Sequence, residues 1–174
     1  MSTSAKLAPS AEPDWFALRV KPNTERSLFA ALRAHGVETM LPLYPDRRQW
    51  SDRIRTIDRP LFPGYLFCRL HSATPLKLVT LPGAIGFVGF GSGPAPIQAI
   101  EIQALERILD SGRRLRPLSL LREGQRIRVV SGPLAGLDGH VLRIKDEHCL
   151  VVSISILQRS VAVTLDGDAV MPRL

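Results

Sequence analysis

The sequence predicts an α+β protein with two domains, an N-terminal antiparallel sheet flanked by helices and a small C-terminal SH3-like β-barrel. Three observations support this fold class. Strand-like and helix-like segments alternate from residue 15 to residue 112 in the order β-α-β-β-β-α-β-α. The next stretch is rich in Arg and Pro and has no periodicity, and after it only short Val- and Ile-rich segments occur. We therefore expect a disordered tail at 1–13, a first domain at 14–110, a linker at 111–121 and a barrel at 122–174.

Composition narrows the class of protein. The chain has 174 residues, 45% of them apolar, which is typical of a globular protein. Its net charge of +7 favours an acidic partner, most often nucleic acid, although a merely soluble basic surface is the alternative. Cys68 and Cys149 lie far apart in apolar runs, which predicts buried thiols in a reducing cytoplasm. The sequence contains neither a signal peptide nor the roughly 18 apolar residues of a membrane-spanning helix, so we expect a cytoplasmic protein.

The first three predicted elements form a strand, a helix and a strand. "WFALRVK" (15–21) is aromatic and β-branched, as strands are. In "PNTERSLFAALRAHG" (22–36), Asn23 or Thr24 can cap a helix whose apolar face carries Leu28, Ala31 and Leu32, and Gly36 ends it. "VETMLPLY" (37–44) predicts the second strand.

A basic arm follows at 45–60, with few aliphatic side chains. Arg47, Arg48 and Arg53 surround Trp50 there, which predicts an exposed loop or hairpin between strands. Arginines of this kind can bind phosphates without reading sequence, and a tryptophan can stack on an unpaired base. The alternative is a solvated basic hairpin without a ligand.

Four more elements complete the first domain. "GYLFCRL" (64–70) predicts a buried strand, and "SATPLKLVTLPG" (72–83) predicts a short helix at best. "IGFVGF" (85–90) predicts the last strand. The segment 97–112 predicts an amphipathic helix with Ile100, Leu105, Ile108 and Leu109 on its apolar face.

The C-terminal segment alternates like a strand and not like a helix. In "QRIRVVSG" Ile127 and Val129 are expected to point inward and Arg126 and Arg128 outward. Glycines and a proline in "SGPLAGLDG" would damage a helix across this region. We expect a barrel with a small core that folds independently and stays separate from the first domain.

Two sets of motifs carry a resemblance to a known family. "EGQRIRVVSGPLAGLDGHVLRI" (123–144) resembles the KOW motif, in which a strand, a glycine-rich turn and a second strand follow one another. "WFALRVKPNTERSLFAAL", "DRPLFPGYLFCRL" and "PGAIGFVGFGSGPAPI", in this order before a KOW motif, resemble the N-terminal domain of the NusG transcription factors. The resemblance spans residues 14–174.

The resemblance implies how the first domain acts. The family's N-terminal domain binds the clamp helices of the largest RNA polymerase subunit and favours processive elongation or antitermination. Phe62 and Tyr65 match the aromatic residues of the docking motif, Pro63 lies between them, and Phe67 follows on the same strand; Trp15 is a further candidate for the docking surface. We expect the rings of Phe62 and Tyr65 to stand at the surface, whereas Trp15 fits either the core or the docking surface. Nucleic-acid contacts to upstream or non-template DNA are expected from Arg19, Lys21, Arg47, Arg48 and Arg53.

The resemblance also implies a second partner. The family's KOW domain binds the ribosomal protein NusE or the termination factor Rho, and the matching positions are Leu134, Leu137, Ile156, Leu157 and Arg159. The general factor has aromatic residues where this chain has Leu134, Leu137 and Leu157, which favours a specialised paralogue and weakens the Rho assignment. We expect a monomer.

The sequence offers no catalytic constellation. His35, His71, His140 and His148 form no metal-binding spacing, and "GFVGFGSG" is followed by prolines instead of a helix. We therefore predict a protein that is not an enzyme and needs no cofactor or metal. The rival hypothesis is a ribosome-associated RNA-binding KOW protein, and the stretch "LFPGYLF" argues against it.

Overall fold

A computed structural model describes residues 12–71, 75–91, 93–118, 125–144, 147–165 and 170–172, so most of the predicted tail lies outside the described residues. The elements occur in the order β1 (Asp14–Val20), α1 (Glu25–Ala34), β2 (Glu38–Met40), β3 (Leu43–Trp50), β4 (Arg53–Pro60), β5 (Tyr65–Leu70), α2 (Pro75–Leu78), β6 (Ala84–Phe87), β7 (Gly89–Phe90), β8 (Gly93–Pro94), α3 (Ala99–Asp110), β9 (Leu115–Leu118), β10 (Gln125–Val129), β11 (Asp138–Ile144), β12 (Glu147–Ile154), β13 (Arg159–Thr164) and β14 (Val170–Pro172). A 3₁₀ turn at Ser155–Leu157 joins β12 to β13. Within the described ranges, no helix is long and apolar enough to cross a membrane.

The N-terminal domain is built on an antiparallel sheet with the strand order β2-β5-β1-β6. Side chains alternate between its two faces along each strand. One face packs against α1 through a buried cluster that includes Phe16, Leu18, Leu66, Leu28 and Leu32. The α1 side of the sheet is therefore fully covered, and the opposite face of the same strands packs against other elements.

The opposite face of the sheet is covered by α3 together with residues of the C-terminal strands. Ala17 lies opposite Phe67 in the β1–β5 register, and both are fully buried. The helix buries Ile102, Leu105 and Ile108, a spacing that puts them on one side. Ile100, which the sequence assigned to this apolar face, is 66% exposed, so that prediction is wrong. It lies two positions before Ile102, about 200° away around the helix.

The start of α1 departs from the predicted cap. Thr24 occupies the N-cap position, but its hydroxyl makes no cap bond to the helix. The hydroxyl instead donates to the Lys21 carbonyl at 2.7 Å. Asn23 takes a positive φ of 64°, which turns the chain from β1 into the helix.

Two predicted strands are divided in the structure. The segment 37–44 breaks around Pro42, so that β2 joins the sheet while β3 leaves it and pairs with β4 in a two-stranded ribbon. The predicted basic arm therefore is a hairpin, the form that the sequence allowed. The segment 85–90 likewise divides into β6 and β7, and β7 pairs with β8 in a second, very short ribbon.

The C-terminal β-domain is a six-stranded antiparallel sheet with the order β14-β10-β11-β12-β13-β9. Ile127 and Val129 are buried and Arg126 and Arg128 exposed, so the predicted alternation is confirmed. A Cβ at Gly139 would lie 2.5 Å from the Val151 carbonyl oxygen, so only glycine permits this close approach of β11 to β12.

The predicted linker is only partly a linker. Leu115–Leu118 pair with β13, with Leu115 opposite Val163 and Leu118 opposite Ser160. Thus part of the segment 111–121 is a strand of the C-terminal sheet, contrary to the prediction. The sequence did not predict this strand because Arg and Pro are typical of linkers. Both residue types are tolerated in β9 because it is an edge strand. Residues 119–121 lie outside the described residues.

Candidate functional site between the two domains

The turn at 61–65, called here the Phe62 turn, has the sequence and geometry of a type II turn. The Tyr65 N–H donates to the Phe62 carbonyl at 3.1 Å, with Pro63 and Gly64 at the two central positions. Gly64 has a φ of +83°, which L side chains rarely adopt. The turn therefore holds the aromatic residues on either side of it in a fixed relation.

A buried carboxylate fixes the Phe62 turn to α1. Oε1 of Glu25 accepts a hydrogen bond from the Gly64 N–H at 3.0 Å, and Glu25 is buried. The Gly64 carbonyl in turn accepts from the Val20 N–H at 2.9 Å, which joins the turn to β1. Glu25 thus has a structural role that its place in the first turn of a helix did not reveal.

The predicted polymerase-binding aromatics lie together on the β1–β5 sheet face. The rings of Phe62 and Phe67 meet edge to face, with centroids 5.3 Å apart. Trp15 and Tyr65 are half-buried and pack against the same cluster. Phe62, which was expected to stand at the surface, is 1% exposed, so that expectation is wrong. Pro63 is exposed.

The apolar members of the predicted partner-binding set of the β-domain lie in the same apolar cluster. Leu134, Leu137 and Leu157 are buried, and Ile156 packs against the cluster. The cluster is continuous from Phe62 and Phe67 through Ile102, Leu105 and Ile108 of α3 into the β-domain. The predicted polymerase-binding residues and the predicted partner-binding residues are therefore buried together between the two domains.

Polar contacts join the two domains around this cluster. The Arg159 guanidinium lies over the Tyr65 ring, 5.7 Å from its centroid, in a cation–π contact. Oε1 of Glu101 on α3 accepts from the Ser155 N–H at 3.1 Å and from the Ser155 hydroxyl at 2.5 Å. Arg107, six residues further along α3, donates to the carbonyls of Pro133 and Ala135.

The expectation that the two domains remain separate is thus wrong for this structure. Each domain has an apolar surface, and contact between the two domains removes both surfaces from water. The contacts of Glu101 and Arg107 connect residues 54 and 28 positions apart, respectively. Sequence spacing contains no signal for contacts over such separations, so these interdomain residues were missed.

The predicted nucleic-acid residues fall into two groups. Arg19 lies opposite Tyr65 on β1 and is exposed, and Lys21 is exposed just after β1. Arg47, Arg48 and Arg53 lie on the β3–β4 ribbon and are exposed. The ribbon carries two further arginines, Arg55 and Arg59, which the site prediction omitted although the period of two along paired strands would have grouped them with Arg48 and Arg53.

Comparisons with known proteins connect these features to one family. A family model described as "Transcription termination factor nusG" matches residues 13–106. The transcription termination/antitermination protein NusG of Pseudomonas aeruginosa is 30% identical over 151 residues, covering 84% of this chain and 85% of its own length. The protein of the same name from Escherichia coli K12 is 30% identical over 170 residues, covering 90% and 94%.

A solved structure has a similar fold over most of its length. The structure described as "Domain interaction in Thermotoga maritima NusG" superposes with a TM-score of 0.58 and covers 91% of this chain and 96% of that chain. Its sequence identity is 20%, so the similarity is one of fold.

Proposed function

The chain belongs to the NusG family of transcription factors, and from this premise we propose that it is an elongation factor, not an enzyme, that binds the clamp helices of the largest RNA polymerase subunit. The proposed contact residues are those of the β1–β5 sheet face and the Phe62 turn: Trp15, Phe62, Pro63, Tyr65 and Phe67. By bridging the polymerase clamp the factor favours processive elongation and antitermination. It acts in the cytoplasm as a monomer.

One observation carries this proposal, namely the rigid aromatic face built by β1, β5 and the Phe62 turn. Its backbone is fixed by the Glu25–Gly64 and Val20–Gly64 hydrogen bonds, so its rings are preorganised. Preorganised aromatic side chains lose little entropy on binding and often dominate the affinity of protein interfaces.

The β-domain regulates access to this face in our proposal. In the structure it covers the aromatic face and buries its own Leu134, Leu137 and Leu157 in the same cluster. Polymerase binding then requires the β-domain to leave, which makes the observed form a closed state. A likeness to the structure described as domain interaction in Thermotoga maritima NusG supports this proposal.

The released β-domain recruits a second partner. The proposed surface comprises Leu134, Leu137, Ile156, Leu157 and Arg159, and the proposed partners are NusE or Rho. Leucines in place of the general factor's aromatic residues favour a specialised paralogue with a reduced affinity for Rho. The exposed arginines and Lys21 contact upstream or non-template DNA in the transcribing complex.

Tyr65 offers the sharpest test, because Phe62 is fully buried and its removal would also destabilise the fold. The Tyr65→Ala Arg159→Ala protein is compared with the Arg159→Ala protein, in which the cation–π contact between the domains is already absent. We expect Tyr65→Ala to weaken binding to core polymerase by about 30-fold, the scale of an interface anchor. Phe90→Ala, at an aromatic side chain that is 75% exposed and outside the cluster, is the matched control.

Two results would contradict the proposal. One is equal polymerase affinity for the Tyr65→Ala and Phe90→Ala proteins when both are folded. The other is a chain that binds ribosomal RNA tightly and polymerase not at all, which is the result expected for a ribosome-associated RNA-binding KOW protein.

A further inference from the structure

The chain between the two domains is shortened by β9. In the sequence, the fourteen residues 111–124 separate the end of α3 from the start of β10. Because β9 begins at Leu115 and pairs with β13, only the four residues 111–114 lie between the helix and the first strand of the β-domain. We call the residues between α3 and the first paired strand of the β-domain the tether. Pairing of β9 therefore makes the tether much shorter than the sequence would allow.

Both ends of the four-residue tether are held by hydrogen bonds. The Ser111 N–H donates to the Arg107 carbonyl at 3.1 Å, and the Ser111 hydroxyl donates to the Ile108 carbonyl at 2.7 Å. At the other end, the Arg114 carbonyl accepts from the Thr164 N–H at 3.1 Å, at the end of β13. The orientation of the β-domain relative to α3 is therefore fixed as long as β9 is paired.

The register shows why a proline is compatible with β9. Hydrogen-bonded and non-hydrogen-bonded pairs alternate along two antiparallel strands. The bond between Thr164 and Arg114 makes theirs a bonded pair, so Arg116 opposite Ala162 is also bonded, whereas Pro117 opposite Val161 is not. Pro117 has no N–H and therefore removes no bond to β13, and it leaves the outer edge of β9 without a donor.

Both faces of β9 contribute to its pairing. Leu115 lies opposite Val163, and both are buried in the cluster between the domains. On the other face, Arg114 and Arg116 contact Glu147 of β12 at N···O distances of 3.0 and 2.5 Å. These ion pairs are partly exposed and contribute little individually. As the last strand of the sheet, β9 has one neighbour, β13, in the described residues, so it can leave while β10–β13 stay paired.

We propose that β9 is a latch for the closed form. Paired with β13, it limits the tether to four residues and keeps the β-domain over the β1–β5 sheet face. Unpaired, it leaves a tether of fourteen residues, from which the β-domain moves away more readily. This inference deepens the proposed closed state, on which it rests, because it names the segment that regulates access to the polymerase-binding face.

The size of the effect follows from the length of the tether. The effective concentration of two linked groups falls roughly as the −3/2 power of the linker length. Lengthening the tether from four to fourteen residues should therefore lower the closing equilibrium constant about sixfold. The loss of the fixed orientation at Arg114 acts in the same direction.

One amide reports directly on opening. The Ser155 N–H of the β-domain donates to Oε1 of Glu101 on α3 at 3.1 Å, so its exchange with solvent requires the domains to separate. The Gln158 N–H donates to the Ser155 carbonyl at 3.0 Å within the β-domain and serves as the internal control. Both hydrogen-exchange rates are measured by NMR on the full chain without polymerase.

The first variant releases β9. Arg116→Pro removes the N–H of a bonded pair and should accelerate Ser155 exchange about sixfold while leaving Gln158 exchange unchanged. Arg116→Ala is the matched control, because it removes the same ion pair with Glu147 but keeps the N–H. It should accelerate Ser155 exchange clearly less than Arg116→Pro does.

The second variant lengthens the tether and leaves β9 in place. Ten Gly and Ser residues inserted between Gly112 and Arg113 give a tether of fourteen residues, the length expected after release of β9. This protein should also show about sixfold faster Ser155 exchange, with Gln158 exchange unchanged. The insertion tests the role of tether length even if Arg116→Pro disturbs the β-domain.

Two outcomes would overturn the inference. Unchanged Ser155 exchange in the insertion protein would show that tether length does not hold the domains together. Equal acceleration at Ser155 and Gln158 in Arg116→Pro would show that β9 is an integral part of the β-domain fold and not a latch. The Tyr65 experiment measures polymerase binding and these rates are measured without polymerase, so the two proposals fail separately.

Discussion

At the scale of single residues, two buried groups lie on the α1 side of the sheet, behind the face that carries the site. Glu25 holds the Phe62 turn through the Gly64 N–H, and Cys68 lies in β5 opposite Thr39 of β2. Glu25 thereby positions the turn that precedes Tyr65, whereas the Cys68 side chain packs in the cluster on the α1 side of the sheet, on the face of β5 opposite Tyr65 and Phe67. Each gives a prediction that does not depend on any partner.

Replacing Glu25 should destabilise the first domain. Glu25→Ala leaves the Gly64 N–H without its acceptor, which should lower the free energy of unfolding by about 1–3 kcal/mol. Glu25→Gln keeps an amide oxygen as acceptor and should lower it less. Urea unfolding measures both, with Glu106→Ala on the exposed side of α3 as control. Equal stability of the Glu25→Ala and Glu106→Ala proteins would show that this hydrogen bond is unimportant.

The Cys68 thiol should make stability depend on alkaline pH. Burial raises its pKa from 9.0 to about 12, opposed by a side-chain hydrogen bond with Thr39. The unfolded chain then releases the thiol proton before the folded chain does, so this contribution to stability is complete below pH 9 and is lost as pH rises toward 12. At pH 10 this contribution to the free energy of unfolding should be about 1.4 kcal/mol smaller than it is well below pH 9.

Urea midpoints of wild type and Cys68→Ala between pH 8 and pH 10 isolate this contribution. The Cys68→Ala protein should differ from wild type in its free energy of unfolding at every pH. Its free energy of unfolding should also decline less steeply as the pH rises. Identical declines in the two proteins would mean that the thiol does not titrate in this range in the unfolded chain.

At the scale of elements, α3 is the structural connection between the domains. Its buried side completes the core under the β1–β5 sheet, while Glu101 and Arg107 reach the β-domain at Ser155 and Ala135. Thus α3 is part of the core of the first domain and also forms hydrogen bonds with the β-domain. It can hold the β-domain in place although the two domains share no strand in the described residues. The ribbon, by contrast, extends from the domain without covering the site.

Removing the polar contacts of α3 should favour the open form. Glu101→Ala with Arg107→Ala removes hydrogen bonds to Ser155, Pro133 and Ala135, each contributing about 1 kcal/mol to the closed state. Where the closed state predominates by that margin, polymerase affinity should rise at least a hundredfold, because about 3–4 kcal/mol less free energy is needed for opening. Surface-immobilised core polymerase provides the measurement, and Glu106→Ala serves again as control. A lower or unchanged affinity in the folded double variant would refute a masking role.

At the scale of the whole molecule, one interdomain contact covers two proposed binding surfaces. Polymerase and the β-domain partner then share the free-energy cost of opening, and whichever binds first removes that cost for the second. Thermodynamic linkage requires the effect to be reciprocal. The closed form would thereby couple the two proposed partners, which bind different domains in our proposal.

The coupling predicts positive cooperativity between partners. A saturating concentration of the NusE ribosomal protein should raise the affinity of the full chain for polymerase, and polymerase should raise the affinity for NusE by the same factor. Isothermal titration in both orders gives the two factors. The Glu101→Ala Arg107→Ala protein should show weaker coupling, because it is already partly open. Independent binding in the wild type, with the same affinities in both orders, would exclude a shared opening step.

Local patterns in the sequence were enough to predict most elements, and the family resemblance supplied the candidate surfaces. The period of two placed Ile127 and Val129 inside the C-terminal sheet, where both are buried. The basic arm was predicted as an exposed loop or hairpin because it has many arginines and few aliphatic side chains between two predicted strands. These features depend on neighbours within a few positions, whose geometry the backbone fixes.

Only the tertiary structure decided how the surfaces are used. The burial of Phe62 and Leu134 in one cluster, the pairing of β9 with β13 and the bond from Gly64 to Glu25 all join residues that are distant in sequence. The same apolar side chains that predict a docking surface also satisfy an interdomain core, since the hydrophobic effect does not depend on which apolar surface is covered. Sequence alone therefore determined that two apolar surfaces exist, and the packing of the domains determined that they cover each other.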